Sequence, residues 1–164
     1  MAGGRQGAPG FDARRLRSAR EAAALTQGAL AQAADVHINE VVEWEAGRRV
    51  PRVDAVAALA RALRVSPLDL LDRDDDQDLT LHQLRVVAGL SQQQTAERAR
   101  LLRTTYSGIE RGLTAHLAPN DAAAIARALR VEEDQVRTAH AASRAAYLTR
   151  RGGHTSGRGT AADD

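Results

Sequence analysis

One polar stretch, RTTYSGIER (103–111), concentrates side chains that can hydrogen-bond to phosphates and to base edges. A guanidinium is planar and matches both phosphate oxygens and the guanine edge, while hydroxyl groups donate to either target. Gly108 adds no side chain, so another backbone could approach closely there. The candidate contact residues of this stretch are Arg103, Thr104, Thr105, Ser107 and Arg111.

These residues belong to one copy of an internal repeat. ALARALRV (58–65) recurs as AIARALRV (124–131), and LTQ (25–27) recurs as LSQ (90–92). The offset is 65 residues in the earlier blocks and 66 in the last, which places a one-residue insertion after Gly112. Self-similarity at this spacing indicates a duplicated domain.

The acidic segment RDDDQD (73–78) separates the two copies. Like charges repel, so such a segment stays extended and solvated. We therefore predict a first domain at 11–72, an acidic linker at 73–78 and a second domain at 79–150. The last residues, 151–164, are polar and glycine-rich, and they are predicted to form a disordered tail.

Apolar residues recur with helical spacing in each copy, which predicts five helices per domain. Thr26 and Ser91 are the expected N-caps of the second helices, and Gly47 and Gly112 are expected to end the third. In the first copy the helices are predicted at about 12–23, from Gln27, at 38–46, up to Leu63 and from Pro67. In the second copy they are predicted at about 80–88, from Gln92, at 103–111, up to Leu129 and over 132–150.

The segment LTQGALAQAADVHINEVVEWEAGRRVP (25–51) resembles the helix-turn-helix of the phage Cro/C1-repressor family, also called the XRE family. LSQQQTAERARLLRTTYSGIERG (90–112) shows the same pattern of Thr or Ser with Gln, a small-residue helix, a turn, an amphipathic helix and Glu-x-Gly. The resemblance implies an all-α fold with two tandem five-helix lambda-repressor-like helix-turn-helix domains, joined by a short acidic linker. It also implies that each third helix lies in the major groove of DNA.

The third helix of the first copy lies in NEVVEWEAG (39–47), which carries three glutamates and no cation. Helical geometry turns Val41 and Trp44 toward the core. Its outward residues are Asn39, Val42, Glu43 and Ala46. Asn39 can read adenine, and Gln27, Arg48 and Arg49 are predicted to bind phosphates, but glutamates near phosphates weaken binding. DNA reading by this copy and docking of a protein on Ile38 and Val42 stay open as alternatives.

The third helix of the second copy suits DNA better. Tyr106 and Ile109 turn toward the core, which leaves the polar stretch described above facing outward. Gln92 opens the second helix, where its side chain and backbone N–H are predicted to hold a phosphate. Arg98 and Arg100 add positive charge.

Two charged pairs are expected to position the third helices. Arg20 and Glu45 are 25 residues apart, and so are Arg85 and Glu110. The resemblance implies that such an arginine pairs with the glutamate that ends helix three. We therefore predict both to be structural pairs, partly buried and hydrogen-bonded.

Both copies depart from the family pattern at the turn. Asp35 and Arg100 stand where glycine is usual, and arginine adopts left-handed backbone less readily than aspartate. His37 and Leu102 replace a capping serine. Leucine cannot cap a helix, so we predict that Thr104 caps instead and that this helix starts a turn late.

Composition excludes several other classes of function. All 23 basic residues are arginine and the net charge is +2. The absence of cysteine excludes disulfides and thiolate metal sites, and the five histidines show no ligand spacing. The segment 72–83 lacks the glycine and glutamate of a calcium loop. We find no catalytic motif, no membrane span and no signal peptide. We expect a cytoplasmic protein, nucleoid-associated when DNA-bound, that is not an enzyme and needs no cofactor.

The sequence favours a transcriptional regulator, a repressor, that binds double-stranded DNA mainly through the second domain. The alternative is a protein-interaction or dimerisation module, such as an antitoxin or a regulator of another regulator. In that case the first domain, or both, would dock a protein partner. A homodimer through the first domain or the C-terminal helix is compatible with either function.

Overall fold

The computed structural model describes residues 7–73 and 77–152. Within these residues the regular elements are helices, apart from an isolated antiparallel bridge between Phe11 and Leu71. The all-α prediction is confirmed. In the same residues, no helix combines the length and the apolar character needed to cross a bilayer.

The first compact unit comprises the described residues up to 73 together with 85–94. Its first helices are α1 (Ala13–Ala22), α2 (Gln27–Ala34), α3 (Ile38–Glu45) and α4 (Val53–Leu63). Helix α2 packs on α3 and α4, and α1 packs on α3. The fully buried side chains at their centre include Leu16, Leu30, Val41, Val56 and Leu59. The predicted fifth helix is a 3₁₀ turn, Pro67–Leu70, because Leu71 takes extended backbone.

The second unit comprises 77–84 and the described residues from 95 onward. The second repeat contributes α5 (Leu81–Val87), α6 (Gln92–Ala99), α7 (Arg103–Glu110), α8 (Pro119–Leu129) and α9 (Glu133–Gly152). Helix α9 packs on both α7 and α8, and Tyr106, Ile125 and Val136 are fully buried in this unit. The division therefore falls within α5 and α6, and the predicted domain boundaries stay predictions.

The predicted acidic linker and the predicted C-terminal tail are described only in part. Helix α9 continues through Gly152, two residues beyond the predicted end at 150. Residues 153–164, where a disordered tail was predicted, lie outside the described residues, as do residues 74–76 of the acidic segment.

The predicted helix ends are formed by the residues expected to form them. The Thr26 hydroxyl accepts a hydrogen bond from the Ala29 N–H at 3.1 Å, and the Ser91 hydroxyl accepts one from the Gln94 N–H at 3.2 Å. Each cap satisfies a helix N–H that has no partner within its own helix. Helices α2 and α6 consequently begin at equivalent positions of the repeat.

Left-handed backbone recurs at four equivalent positions of the two copies. In the first copy these are Ala24, Asp35, Gly47 and Arg64. In the second copy they are Gly89, Arg100, Gly112 and Arg130. The turn residues Asp35 and Arg100 have φ of 53° and 57°, so both copies make the same turn although their residue types differ. The spacing changes from 65 to 66 after Gly112, as the sequence predicted.

Candidate nucleic-acid interface

Helix α7 is anchored from one side. Tyr106 and Ile109 are buried, at 0% and 2% exposure, so three-residue spacing places them on the same helical face. The opposite side leaves hydrogen-bonding groups in solvent. Arg103, Thr104, Thr105 and Arg111 are exposed, and Ser107 and Gly108 are half-buried.

Helix α7 begins where the repeat predicted it, at 103, but it is not capped as predicted. The helix begins at Arg103, with Leu102 at the N-cap position and no side-chain capping hydrogen bond. The predicted cap at Thr104 is therefore wrong. The Tyr106 N–H bonds to the Leu102 carbonyl at 3.0 Å, and burial of Tyr106 holds this first turn in place without a polar cap.

Arginines surround the beginning of α7. Arg98 lies in the last turn of α6, Arg100 forms the left-handed turn, and Arg103 begins α7. All three are exposed, and within residues 7–73 and 77–152 none of them forms an ion pair with a carboxylate. Gln92, the predicted phosphate ligand, is the first residue of α6 and is half-buried.

The end of α7 is supported by α9. Arg144 donates to the Gly112 carbonyl at 2.9 Å, and a Cβ added to Gly112 would collide with the backbone of Ser143 and Arg144. Only glycine permits this approach. This contact was not predicted, because the sequence alone does not show which helix packs against Gly112.

A buried histidine joins α9 to the segment that follows α7. The His140 Nε2 atom lies 3.1 Å from the Thr114 hydroxyl, and His140 is 6% exposed. Burial lowers the pKa of His140 below its ordinary value, and the nearby charges of Arg144 and His116 lower it further. The Thr114 contact acts in the opposite direction but does not outweigh them. The histidine is therefore uncharged at neutral pH.

Helix α3 holds the equivalent position in the first copy and is anchored in the same way. Val41 and Trp44 are buried, at 0% and 5% exposure. Asn39 is exposed, while Val42 and Glu43 are half-buried. Because α3 and α7 are anchored at equivalent positions, their outward faces differ in the chemistry of their side chains.

The three glutamates of NEVVEWEAG each have a partner within the first unit. Glu40 accepts a hydrogen bond from the His37 N–H at 3.2 Å, and the His37 Nδ1 atom accepts one from the Asn39 N–H. His37 therefore replaces the usual serine as a cap. Glu43 accepts bonds from Arg48 at 2.8 and 3.1 Å. These bonds lower the pKa of the Glu43 carboxyl below its ordinary value.

Arg48 and Gln27, both predicted phosphate ligands, are occupied in this arrangement. The Arg48 guanidinium binds Glu43, and the Gln27 amide donates to Glu45 at 2.9 Å. Arg49, the third predicted phosphate ligand here, is exposed and forms no ion pair within the described part of the chain. Only one of the two arginines after α3 thus presents an unneutralised charge.

Glu45 is the most buried of the three glutamates, with a side chain that is 0% exposed. Arg20 donates to it through Nε at 2.6 Å and through its terminal nitrogen at 3.0 Å, and also donates to the Leu25 carbonyl at 2.8 Å. Burial alone would raise the pKa of Glu45, but the bonds from Arg20 and Gln27 outweigh it and lower the pKa below its ordinary value. This pair ties α3 to α1.

The equivalent residues of the second copy are buried as well. Arg85 and Glu110 are 4% and 6% exposed. Arg85 donates to the Leu90 carbonyl at 2.8 Å, which repeats the Arg20 bond to Leu25. Glu110 lies 3.5 Å from the Tyr106 hydroxyl and 4.0 Å from the His82 Nδ1 atom. A direct Arg85–Glu110 pair stays a prediction.

The described interface candidates contain no cluster of metal ligands. Across residues 7–73 and 77–152, no three histidine or carboxylate side chains come together in a way that could hold a metal ion. The groups available at α3 and α7 are hydrogen-bond donors, acceptors and fixed charges, which serve recognition.

The chain belongs to the helix-turn-helix domain family. The family model matches it twice, at residues 13–73 and 79–139, and so covers both copies of the repeat. The second helix of the helix-turn-helix motif, which lies in the major groove in DNA-binding members of this class, corresponds to α3 in one copy and to α7 in the other. No match was found among curated proteins or among solved structures.

Proposed function

We propose that the protein is a sequence-specific transcriptional regulator that binds double-stranded DNA mainly through α7 and represses by occupying its operator. The observation that carries this proposal is the outward face of α7, where exposed arginines and hydroxyls have no carboxylate among them. Such groups bind phosphates and base edges together.

The residues of this face have distinct proposed roles. Arg103 reads a guanine or holds a phosphate, and Thr104, Thr105 and Ser107 donate to phosphates or bases. Arg111, at the end of α7, and Gln92, at the start of α6, each hold a phosphate. The same face supports a predicted location on the nucleoid when the protein is bound.

The first copy makes a smaller proposed contribution. Asn39 and Arg49 are exposed and available to DNA, whereas Arg48 is held by Glu43. One copy that reads strongly and one that reads weakly would give an asymmetric footprint. Assembly of two chains would turn that footprint into a palindrome.

A second candidate function is protein docking by the first copy. Ile38 is 46% exposed at the start of α3, next to carboxylates that oppose DNA. This surface suits a partner with a basic, apolar contact patch, such as another regulator or a second copy of this chain. DNA binding would then be secondary or absent.

Selection from random duplex DNA by the full chain separates the two functions. We expect salt-sensitive binding and an enriched motif. The Arg103→Ala variant should bind that motif roughly 10- to 100-fold more weakly and accept other bases at one position. Arg127→Ala, at an exposed position of α8, is the matched control and should change neither property. Failure of the full chain to retain DNA at low salt would refute the proposed function.

A further inference from the structure

Leu102 is an exposed apolar side chain at the leading end of α7. It is 74% exposed, more than the other large exposed hydrophobic residues of the described chain, which range from 43% to 53%. Tyr106 and Ile109, the large apolar residues within α7, are buried. Leu102 differs from them in being exposed. Most of the Leu102 side chain therefore lies in solvent and is not buried against the rest of the chain.

The side chain of Leu102 also makes no capping hydrogen bond at the start of α7. The equivalent residue of the first copy, His37, caps α3 with its ring. Its backbone N–H donates a hydrogen bond to the Glu40 carboxylate. Leu102 takes the same extended backbone, with φ −64° and ψ 142°, but it forms no side-chain cap. A polar residue there would serve the helix better. The leucine is therefore better explained by what it contacts outside the chain.

The charges around Leu102 indicate what that contact is. Arg100 lies two residues before it and Arg103 directly follows, both exposed and without an ion pair in the described residues. An apolar surface of a partner protein would leave these guanidiniums unmatched. The major groove of DNA combines phosphates with an apolar group, the C5-methyl of thymine.

We propose that Leu102 reads a thymine methyl group beside the base that Arg103 contacts. This inference rests on the proposed function and deepens it, because it names a base of the operator. Residues at the start of a recognition helix face base edges, so adjacent residues 102 and 103 contact neighbouring bases. A thymine next to a guanine is the expected core of the sequence bound by α7.

Deoxyuridine tests this inference, because it differs from thymidine only by the methyl group. Each thymine of the selected site is replaced in turn, and binding of the full chain is measured. Replacement at one thymine should weaken binding roughly fourfold, the value of one buried methyl group. Leu102→Ala should bind the thymine and uracil sites equally. Leu113→Ala, at a 43% exposed leucine beyond α7, should keep the wild-type preference.

A second variant controls for effects on folding. Leu102→Ser supplies a helix cap, so it should preserve or strengthen α7 while it abolishes the thymine preference. The inference is overturned if Leu102→Ala keeps the full preference, or if no thymine is sensitive while Arg103→Ala still loses affinity. Absence of DNA binding by the wild-type chain would instead refute the proposed function itself, and this inference with it.

Discussion

The outward faces of α3 and α7 occupy the same position of the repeat and are anchored by the same core pattern, yet they differ in charge. On α3 each carboxylate has a partner inside the unit, and one of these partners is Arg48. On α7 the guanidiniums of Arg103 and Arg111 stay in solvent. Duplication therefore preserved the scaffold while the reading surface diverged. A fold and its binding surface are separate properties of a helix-turn-helix.

The supports behind the two helices differ as well. Nothing lies within 4 Å of a Cβ added to Gly47, whereas one added to Gly112 would strike α9. The first copy holds α3 through buried Val41 and Trp44 and the Arg20–Glu45 pair, and in the second copy α9 packs against the end of α7. The outward face that carries exposed arginines thus belongs to the copy with the additional support.

The largest expected effect separates these two glycines. Gly112→Ala should destabilise the second unit by about 3 kcal/mol, since left-handed backbone strain adds to overpacking against Ser143. Gly47→Ala should cost the first unit about 1 kcal/mol, from backbone strain alone. The single tryptophan, Trp44, reports unfolding of the first unit, and fluorotyrosine at the two tyrosines reports the second. Equal losses would contradict the proposed role of α9.

A slightly smaller effect is expected at the buried pair. Glu45→Ala removes the buried partner of Arg20, whose side chain is only 12% exposed, and should destabilise the first unit by about 2–3 kcal/mol. Asp54→Ala breaks the exposed Arg52–Asp54 pair and should cost less than about 1 kcal/mol. Denaturant unfolding followed by Trp44 fluorescence measures both variants.

The same pair predicts how the first unit responds to acid. The pKa of Glu45 is lower in the folded protein than its ordinary value of 4.5. Its stabilisation is therefore complete above about pH 4.5 and is lost as the pH falls through the folded value. Glu45→Ala should unfold with a weaker acid dependence than the wild type, and an unchanged dependence would show that the pair does not couple folding to pH.

Release of Arg48 from Glu43 should bring the DNA affinity of the α3 face closer to that of the α7 face. Glu43→Gln removes the carboxylate that holds this guanidinium, so DNA affinity should rise by roughly fivefold and the salt slope should steepen by about 1. Asp54→Asn removes an equal charge from another arginine pair and is the matched control. Titrations at several salt concentrations measure the slope. Equal effects of both variants would mean that net charge, not the position of Arg48, governs the change.

The smallest expected effect concerns His140. Its folded pKa lies below its ordinary value of 6.5, so the unfolded chain binds more protons near that pH. Stability of the second unit is present above pH 6.5 and should decline as the pH falls below it. His140→Gln keeps a partner for Thr114 without a titrating ring, and it should remove this decline. Fluorotyrosine resonances followed from pH 7.5 to 5.5 test it; a decline that persists in the variant would place its origin elsewhere.

Much of the fold follows from local signals. Caps at Thr26 and Ser91, left-handed turns at Asp35 and Arg100, and helix-ending glycines depend on residues close together in the chain, so the sequence predicted helix ends within a residue or two. The cap of α7 was mispredicted because the core packing of Tyr106, a tertiary contact, holds the first turn without a polar cap.

Side-chain contacts between residues that are distant in the sequence were harder to predict. The spacing of Arg20 and Glu45 indicated their pairing, because the repeat and the family resemblance supplied a register. Nothing comparable indicated that Gln27 would donate to Glu45, that Arg48 would bind Glu43, or that α9 would pack on Gly112. Side-chain partners depend on distances that only the packed helices define.

By itself, the sequence determined the class of fold, the duplication and the unequal charge of the two recognition helices, since periodicity, repetition and residue type are local properties. The tertiary structure decided which of those charges remain available. It paired Glu43 and Glu45 with arginines, gave Glu40 only a backbone N–H, and left the arginines around α7 in solvent. The physical reason is that a nearby opposite charge cancels much of the field that a ligand would feel, and the packed helices set which charges are near one another.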